Sequence, residues 1–155
     1  MAFTKFERIL VAVDDSPCSE KVIQYAREIT FGQEVSIALT TIIPPATSVN
    51  YGADPLLGQQ TILMPDISEI QETSAQEYLE QLARDFDDPN AIFCYARVGN
   101  IREEILALVQ EWSADLIIMG TNGKSGLEHF LAGSVAESVI RNASCPVLVI
   151  PSKCE

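Results

Sequence analysis

Three glycines and a serine in the carboxy-terminal third of the chain are well suited to hold a phosphate group. They follow the spacing G-x2-G-x9-G-S and are Gly120, Gly123, Gly133 and Ser134. Glycines at a strand end let the backbone turn and approach a ligand closely, because no Cβ atom stands in the way. The last glycine leads into a predicted helix, whose first N–H groups attract anions. The spacing predicts a phosphate site, although Ser134 with Glu137 is also typical of a simple helix cap.

The two most familiar nucleotide motifs are absent. Gly123, Lys124 and Ser125 resemble the end of a P-loop, but that motif needs a glycine five positions before Gly123, where the residue is Ile118. After the first apolar run the sequence is VDDSPCSE instead of G-x-G-x-x-G, so the dinucleotide fingerprint is missing as well. A nucleotide would have to be held in another way.

The charge of the chain argues against binding to nucleic acids or membranes. It has 22 acidic and 10 basic residues, for a net charge of −12. Such a field repels the phosphates of DNA and RNA and the anionic head groups of lipids. A small anion can still bind where backbone N–H groups supply a local positive field. We expect a small ligand, accompanied by a divalent cation such as Mg2+ if it carries several phosphates.

The numbers and spacing of histidine and cysteine do not favour a metal site or a catalytic triad in this chain. His129 is the single histidine, which leaves zinc sites and Ser-His-Asp catalysis with almost no ligands. The four cysteines have no metal-binding spacing and are predicted to be ordinary thiols, as in a reducing compartment; they are Cys18, Cys94, Cys145 and Cys154. The apolar run near the amino terminus is too short for a signal peptide. We expect a cytoplasmic protein.

Five short apolar runs alternate with stretches of helical periodicity. The predicted strands are 8–14, 34–43, 91–98, 115–119 and 146–150, and the predicted helices are 18–30, 68–86, 101–112 and a last one from 134 onward. Ser16 and Asn100 are predicted to cap the first and third helices. Strands that are apolar throughout are buried on both faces. The sequence predicts one α/β domain over 1–155, a doubly wound five-stranded parallel sheet with helices on both faces, of the Rossmann-like type.

The carboxyl ends of the strands are expected to carry the ligand site. Doubly wound sheets bind ligands there, at the point where the strand order reverses. The candidates are Asp14, Asp15, Ile43, residues 98–99 and residues from Gly120 onward. A loop at 44–66, with four prolines and two glycines, leaves the same edge. Loops of this length are usually functional or disordered, so this one is either a cover for a pocket or partner, or a mobile insertion.

Two stretches of the chain look like the signatures of the universal stress protein family. They are VAVDDSPCSEKVIQYA and DLIIMGTNGKSGLEHFLAGSVAESVIRNASCPVLVIP, and the order of strands and helices resembles the family over essentially the whole chain. In that family the pattern G-x2-G-x9-G-[S/T] marks the members that bind ATP. The resemblance implies ATP binding and a fold like that of the adenine nucleotide alpha hydrolases.

The resemblance also implies which residues meet the nucleotide. Asp14 and Ile42 would lie against the adenine and its ribose. A second group would hold the ribose and triphosphate: Gly120, Gly123, Gly133, Ser134 and Val135. Their neighbours in the same motifs complete the implied site: Ala12, Val13, Met119 and Thr121. The family commonly has arginine or histidine where this chain has Asn122.

Several functions are compatible with these patterns. The resemblance implies a nucleotide-dependent regulatory module in a stress response, homodimeric through the last strand at Val147 to Ile150, with a protein partner that the sequence does not identify. The enzymatic alternative is a slow ATPase in which Asp14 or Asp15 holds a metal or orients water, although no arginine finger or Walker lysine supports it. The non-catalytic alternative is a dimeric adaptor with a vestigial pocket.

One further fold class can be tested against the sequence, and the identity of the nucleotide is left open. A phosphoacceptor receiver domain would need an aspartate at the end of the third strand, where this chain has Val98 and Gly99. That interpretation is therefore disfavoured. ATP, AMP and cyclic nucleotides all remain open as ligands.

Overall fold

Strands and helices alternate along the residues that the computed structural model describes, which are 5–45, 67–121 and 135–151. The strands are β1 (Arg8–Ala12), β2 (Ser36–Ile43), β3 (Ile92–Val98), β4 (Leu116–Gly120) and β5 (Val147–Ile150). The helices are α1 (Cys18–Thr30), α2 (Ile67–Ala83), α3 (Ile101–Trp112) and α4 (Val135–Asn142), with a short 3-10 helix at Pro89–Ala91. Residues 46–66, the greater part of the predicted long loop, lie outside the described residues.

The strands form one parallel sheet in the order β3-β2-β1-β4-β5. The chain first builds outward from β1 to β3 and then crosses to β4 and β5, so the strand order reverses between β1 and β4. This confirms the predicted doubly wound α/β fold. β1 is two residues shorter than predicted, because Asp14 turns away to bind its own loop; Val13 N–H still donates to Thr40 O at 2.9 Å.

Neighbouring residues of each strand pack under different helices. Ile9 and Val11 of β1 lie in the cluster covered by α1 and α2, and Leu10 lies in the cluster covered by α3 and α4. β4 alternates in the same way, with Ile118 on the first face and Ile117 on the second. Burying such side chains stabilises the fold by about 1.5–3 kcal/mol each. The uniformly apolar strands therefore require helices on both sides.

The two helix caps predicted from sequence have different outcomes. Asn100 caps α3, because its Oδ1 accepts the Glu103 N–H at 3.1 Å. The prediction that Ser16 caps α1 is wrong, because no side chain caps this helix and Pro17 precedes its first turn in a helical conformation. The Ser16 N–H and hydroxyl both donate to the Asp14 carboxylate instead.

The cysteines correct one expectation. Within the described part of the chain, Cys94 and Cys145 are free thiols, and burial is the main cause that raises the pKa of each. Cys18 is disulfide-bonded, so the prediction of thiols is wrong for this residue. The cysteines consequently give no support to a reducing compartment.

Candidate functional site

The point where the strand order reverses is framed by the ends of β1 and β4. Ala12, the last residue of β1, is the register partner of Met119 in β4. Gly120 ends β4 beside Ile150 of β5, and the Thr121 N–H donates to Ile150 O at 3.1 Å. The connections to the outer strands leave this position in opposite directions, and doubly wound sheets bind their ligands at such a position.

Four of the implied site residues lie on the α3 and α4 side of the sheet, near the ends of β1, β2 and β4 and at the start of α4. All four belong to the same hydrophobic cluster, and we call them the apolar floor: Ala12, Ile42, Met119 and Val135. Met119 is almost fully buried, while the other three are half-buried. The floor combines the ends of three structural elements, β1, β2 and β4, with the first residue of α4.

A cleft of about 560 Å³ adjoins the apolar floor and shares Val135 with it. It lies where β2 and β3 end and where α3 and α4 begin. Its walls come from these four segments: Pro44, Pro45, Gly99, Asn100, Ile101, Arg102, Val135 and Ser138. A cleft between two helix N-termini favours a ligand that carries negative charge.

Arg102 is the basic side chain of this wall. Its Nη1 lies 3.4 Å from Ser138 Oγ across the cleft, and its Nη2 lies 3.6 Å from Glu103 Oε1. The guanidinium therefore bridges the first turns of α3 and α4. Glycine is favoured nearby at position 99, because its φ of +157° is a conformation that residues with a side chain rarely adopt. The sequence had placed Gly99 among the candidates at the strand ends, but it gave no sign of Arg102, since nothing in its spacing links it to the glycine motif.

The Asp14 carboxylate organises the turn between β1 and α1. Its Oδ1 accepts the Ser16 N–H at 2.9 Å, the Ser16 hydroxyl, and the Ser19 hydroxyl at 2.8 Å. Ser19 Oγ in turn accepts the Asp14 N–H at 2.9 Å. A carboxylate that accepts several hydrogen bonds from one turn is fixed in orientation. Asp14 is thus held at the end of β1, beside the floor.

Tyr78 of α2 supports the same turn, and sequence reasoning missed it. Its hydroxyl donates to Asp14 O at 3.0 Å. Burial raises the pKa of Tyr78, and the nearby negative charges of Asp14, Asp15 and Glu20 raise it further. The phenol is therefore neutral and able to donate throughout the physiological pH range. A tyrosine in a helical apolar stripe gives no sign in the sequence that its hydroxyl reaches another element.

Replacing Tyr78 with Phe tests this support through pH. The variant is expected to lose about 0.5–1.5 kcal/mol near neutral pH, because Asp14 O loses its donor. A raised pKa in the folded state contributes stability below the unfolded value of 10.0, and that contribution disappears as pH rises through the folded value. The wild-type advantage over Tyr78→Phe should therefore shrink above pH 10.0. Urea unfolding near neutral and at alkaline pH measures it.

Tyr25 provides the matched control for this experiment. It is an exposed tyrosine on α1. A Tyr25→Phe variant should unfold like the wild type at both pH values. A constant difference between wild type and Tyr78→Phe across the alkaline range would contradict the linkage.

The remaining implied residues have varied positions. The Val13 side chain is buried in the α1 and α2 cluster, on the opposite face of the sheet from the apolar floor. A Cβ added at Gly120 would make an ordinary contact of 3.5 Å with Val22 Cγ2, so packing among the described residues does not require glycine there. Three residues of the predicted phosphate site lie outside the described residues: Gly123, Gly133 and Ser134.

The described part of the chain has neither a metal-binding cluster nor a membrane-spanning helix. Among residues 5–45, 67–121 and 135–151, no group of three or more histidine, cysteine, aspartate or glutamate side chains could hold a metal ion. Within the same ranges, no helix is both long enough and apolar enough to cross a membrane.

The fold and the cleft define a class of protein. A parallel sheet whose order reverses beside an open crevice is typical of doubly wound α/β proteins that bind small ligands at the carboxyl edge. The family model described as "Universal stress protein family" matches residues 5–151. The chain therefore belongs to the universal stress protein family.

Relatives of known sequence or structure agree with this assignment. Universal stress protein MJ0531 of Methanocaldococcus jannaschii is 33% identical over 148 residues, covering 94% of this chain and 82% of that protein. The structure of MJ0577, described as a hypothetical protein, superposes with a TM-score of 0.77 at 23% identity, covering 97% of this chain and 99% of that chain. The second comparison shows a common fold.

Two other solved structures of similar fold hold nucleotides. A universal stress protein family protein from Arabidopsis thaliana, with AMP bound, has a TM-score of 0.63 at 16% identity and covers 96% of this chain and 93% of its own. A universal stress protein in complex with cAMP has a TM-score of 0.61 at 20% identity and covers 95% of this chain and 98% of its own. Identities this low show the shared fold.

Proposed function

We propose that this chain binds ATP, together with Mg2+, at the carboxyl edge between β1 and β4 and works as a nucleotide-dependent regulatory module in a stress response. The observation that carries the proposal is the continuity of the apolar floor with the cleft. An aromatic base needs a flat apolar surface, and a phosphate chain needs donors and positive charge. This edge offers both within one crevice.

We propose different positions for the base and for the phosphates of the nucleotide. The base would lie on the floor of Ala12, Ile42 and Met119, near the end of β1 that Asp14 fixes. The phosphates would extend toward the beginning of α4, where the G-x2-G-x9-G-S segment ends, with Arg102 at the cleft wall. Since the described residues include no metal cluster, Mg2+ would be bound mainly through the phosphate oxygens.

The proposed output is a conformation rather than a reaction. Asp14 Oδ1 already accepts three hydrogen bonds from its own turn, which accounts for this carboxylate without a catalytic role. A ligand can shift a conformational equilibrium only by its different affinities for the two states. Nucleotide-free and nucleotide-bound forms should therefore differ in what they present to a protein partner. AMP and cAMP, which two structural relatives hold, are the alternative ligands.

Calorimetric titration of nucleotide-stripped protein tests the proposal directly. The titrants are ATP with and without Mg2+, AMP and cAMP. Saturable binding of ATP is expected, and a Gly123→Val, Gly133→Val double variant should abolish it because branched side chains would obstruct the backbone donors. Gln24→Ala is the control, since Gln24 is exposed on α1 and belongs to neither the floor nor the cleft. Failure of the unmodified protein to bind any of the nucleotides would contradict the proposal and favour an adaptor with a vestigial pocket.

The assembly we propose is a cytoplasmic homodimer paired through β5. β5 is one outer strand of the sheet. Its inward groups are used, because Pro146 O accepts the Ile117 N–H and Ile150 O accepts the Thr121 N–H. In a parallel strand, alternate residues direct their backbone groups to opposite sides. Val147 and Val149 therefore direct theirs outward, where a second copy can pair with them.

A further inference from the structure

The opposite edge of the sheet, at β3, is contacted by a side chain from α2. Gln76 Oε1 accepts the Ala96 N–H at 3.2 Å, and Gln76 Nε2 lies 3.3 Å from Cys94 O, to which it donates. Cys94 and Ala96 are central residues of β3. One side-chain amide thus satisfies both a backbone donor and a backbone acceptor of an outer strand.

This pair of bonds reproduces one rung of a parallel sheet. In such a sheet, a residue donates its N–H to one carbonyl of the adjacent strand and accepts the N–H two residues further on. The amide of Gln76 carries both functions in one planar group and meets Cys94 and Ala96 in this pattern. The inner side of β3 faces β2, since the Gly99 N–H donates to Ile43 O. Gln76 occupies the outer side.

A third bond fixes the orientation of the amide. Gln76 Nε2 also donates to Glu80 Oε1 at 3.1 Å. An ionised carboxylate only accepts and a backbone N–H only donates, so the nitrogen must face Glu80 and Cys94 while the oxygen faces Ala96. A single orientation satisfies all three contacts. The amide is therefore positioned for the strand and is not a freely rotating surface group.

The two edges of the sheet are consequently unequal. No hydrogen bond from the described residues reaches the outward backbone groups of Val147 and Val149 on β5. On β3, the outward Cys94 carbonyl and Ala96 N–H are already hydrogen-bonded to Gln76. A strand from another molecule would have to displace Gln76, or leave the hydrogen bonds of Cys94 and Ala96 out of its pairing with β3. A strand that pairs with such a gap forms fewer hydrogen bonds and has no fixed register, so its pairing with this edge is weaker.

We propose that Gln76 closes β3 to strand addition and thereby confines strand pairing between two copies of the chain to β5. The β5 part of this inference rests on the proposed homodimer, whereas the β3 part stands independently. The partner that Gln76 excludes is an extended strand of a second copy.

A Gln76→Ala variant tests the inference, and Gln24→Ala is a matched control. Gln24 lies on α1 and makes the same type of bond to the glutamate four residues later, Glu28 Oε1 at 3.0 Å, with no strand contact. Both variants lose one such helix pair and gain a residue of high helix propensity, so both should fold. Only Gln76→Ala exposes Cys94 O and the Ala96 N–H.

Two measurements on the full chain are needed. Hydrogen exchange should be at least about tenfold faster at the Ala96 amide in Gln76→Ala than in Gln24→Ala, because its acceptor is gone. Light scattering across a wide concentration range should show species larger than the wild-type assembly in Gln76→Ala alone. If the wild type is monomeric, the homodimer proposal fails, but new association of Gln76→Ala would still support the closure of β3.

Two outcomes would overturn the inference. Unchanged exchange at Ala96 would mean that the amide does not protect this strand. Faster exchange without any new association, relative to wild type and Gln24→Ala, would mean that β3 does not pair even when its edge is open.

Discussion

Replacing Val135 with Asp is expected to weaken ATP binding by about a hundredfold or more while leaving the fold intact. Val135 is the residue shared by the apolar floor and the cleft. A carboxylate about 5 Å from a phosphate charge costs about 3 kcal/mol at an effective dielectric constant of about 20, and ATP carries several such charges. At the first position of α4, however, an acidic side chain interacts favourably with the helix dipole. The same change should therefore repel the ligand and preserve the helix.

Val135→Asn is the matched control because it removes the same apolar packing without adding charge. Titration of both variants with ATP and with AMP isolates the electrostatic effect. The ratio of affinities between Asn and Asp variants should be larger for ATP than for AMP, since ATP has more phosphate charges near the cleft. Raising the salt concentration should reduce the ratio. Equal affinities for the two variants would mean that the phosphates do not approach the beginning of α4.

The sheet could be predicted from the sequence because its strands are apolar on both faces and are stable only when both faces are buried. A run such as Ile9 to Val11 is apolar at every position, so it must be covered on both faces. The ends of strands are harder to predict, because the hydrophobicity of a residue does not show whether its backbone still pairs with the neighbouring strand. β1 ends at Ala12 because Asp14 bonds to Ser16 and Ser19. A serine hydroxyl in such a turn can bond to several nearby groups, and the sequence does not show which of these hydrogen bonds forms.

The same competition explains the error at the first helix. A serine before a proline is a common helix start, and Ser16 fits that pattern. Its hydroxyl could accept a helix N–H or donate to a carboxylate two residues earlier. The charge on Asp14 favours the second arrangement, since hydrogen bonds to ionised groups are the stronger ones. At Asn100 there is no such neighbour, and the predicted cap forms.

Contacts between distant elements could not be predicted from spacing. Gln76 and Tyr78 lie in one helix, and either could have been a surface or packing residue. Their roles depend on how α2 is placed against β3 and against the β1–α1 turn, which only the folded chain determines. Arg102 is similar, because it meets Ser138 only after α3 and α4 pack side by side. The site implied by family resemblance included the floor but not this wall.

The second large effect is expected from Val149→Pro, which should convert the proposed homodimer into a folded monomer. The carbonyls of Pro146 and Ile150 accept hydrogen bonds from β4, so alternation directs the Val149 N–H away from β4. Proline there removes an outward donor without breaking a rung inside the sheet, and edge strands tolerate it for this reason. A symmetric dimer would lose two such bonds. Each carbonyl left unpaired costs about 1–3 kcal/mol, so the dimer dissociation constant should rise at least about thirtyfold.

Val149→Ala separates the backbone effect from the side-chain effect, because it removes packing against the α3 and α4 cluster but keeps the N–H. Light scattering coupled to size-exclusion chromatography measures the assembly, and circular dichroism checks the fold. The alanine variant should remain dimeric where the proline variant is monomeric. If both remain dimeric with wild-type affinity, pairing does not use the β5 edge. If the proline variant dissociates and still binds ATP, each subunit holds its own complete nucleotide site, which agrees with the floor and cleft being built from one chain.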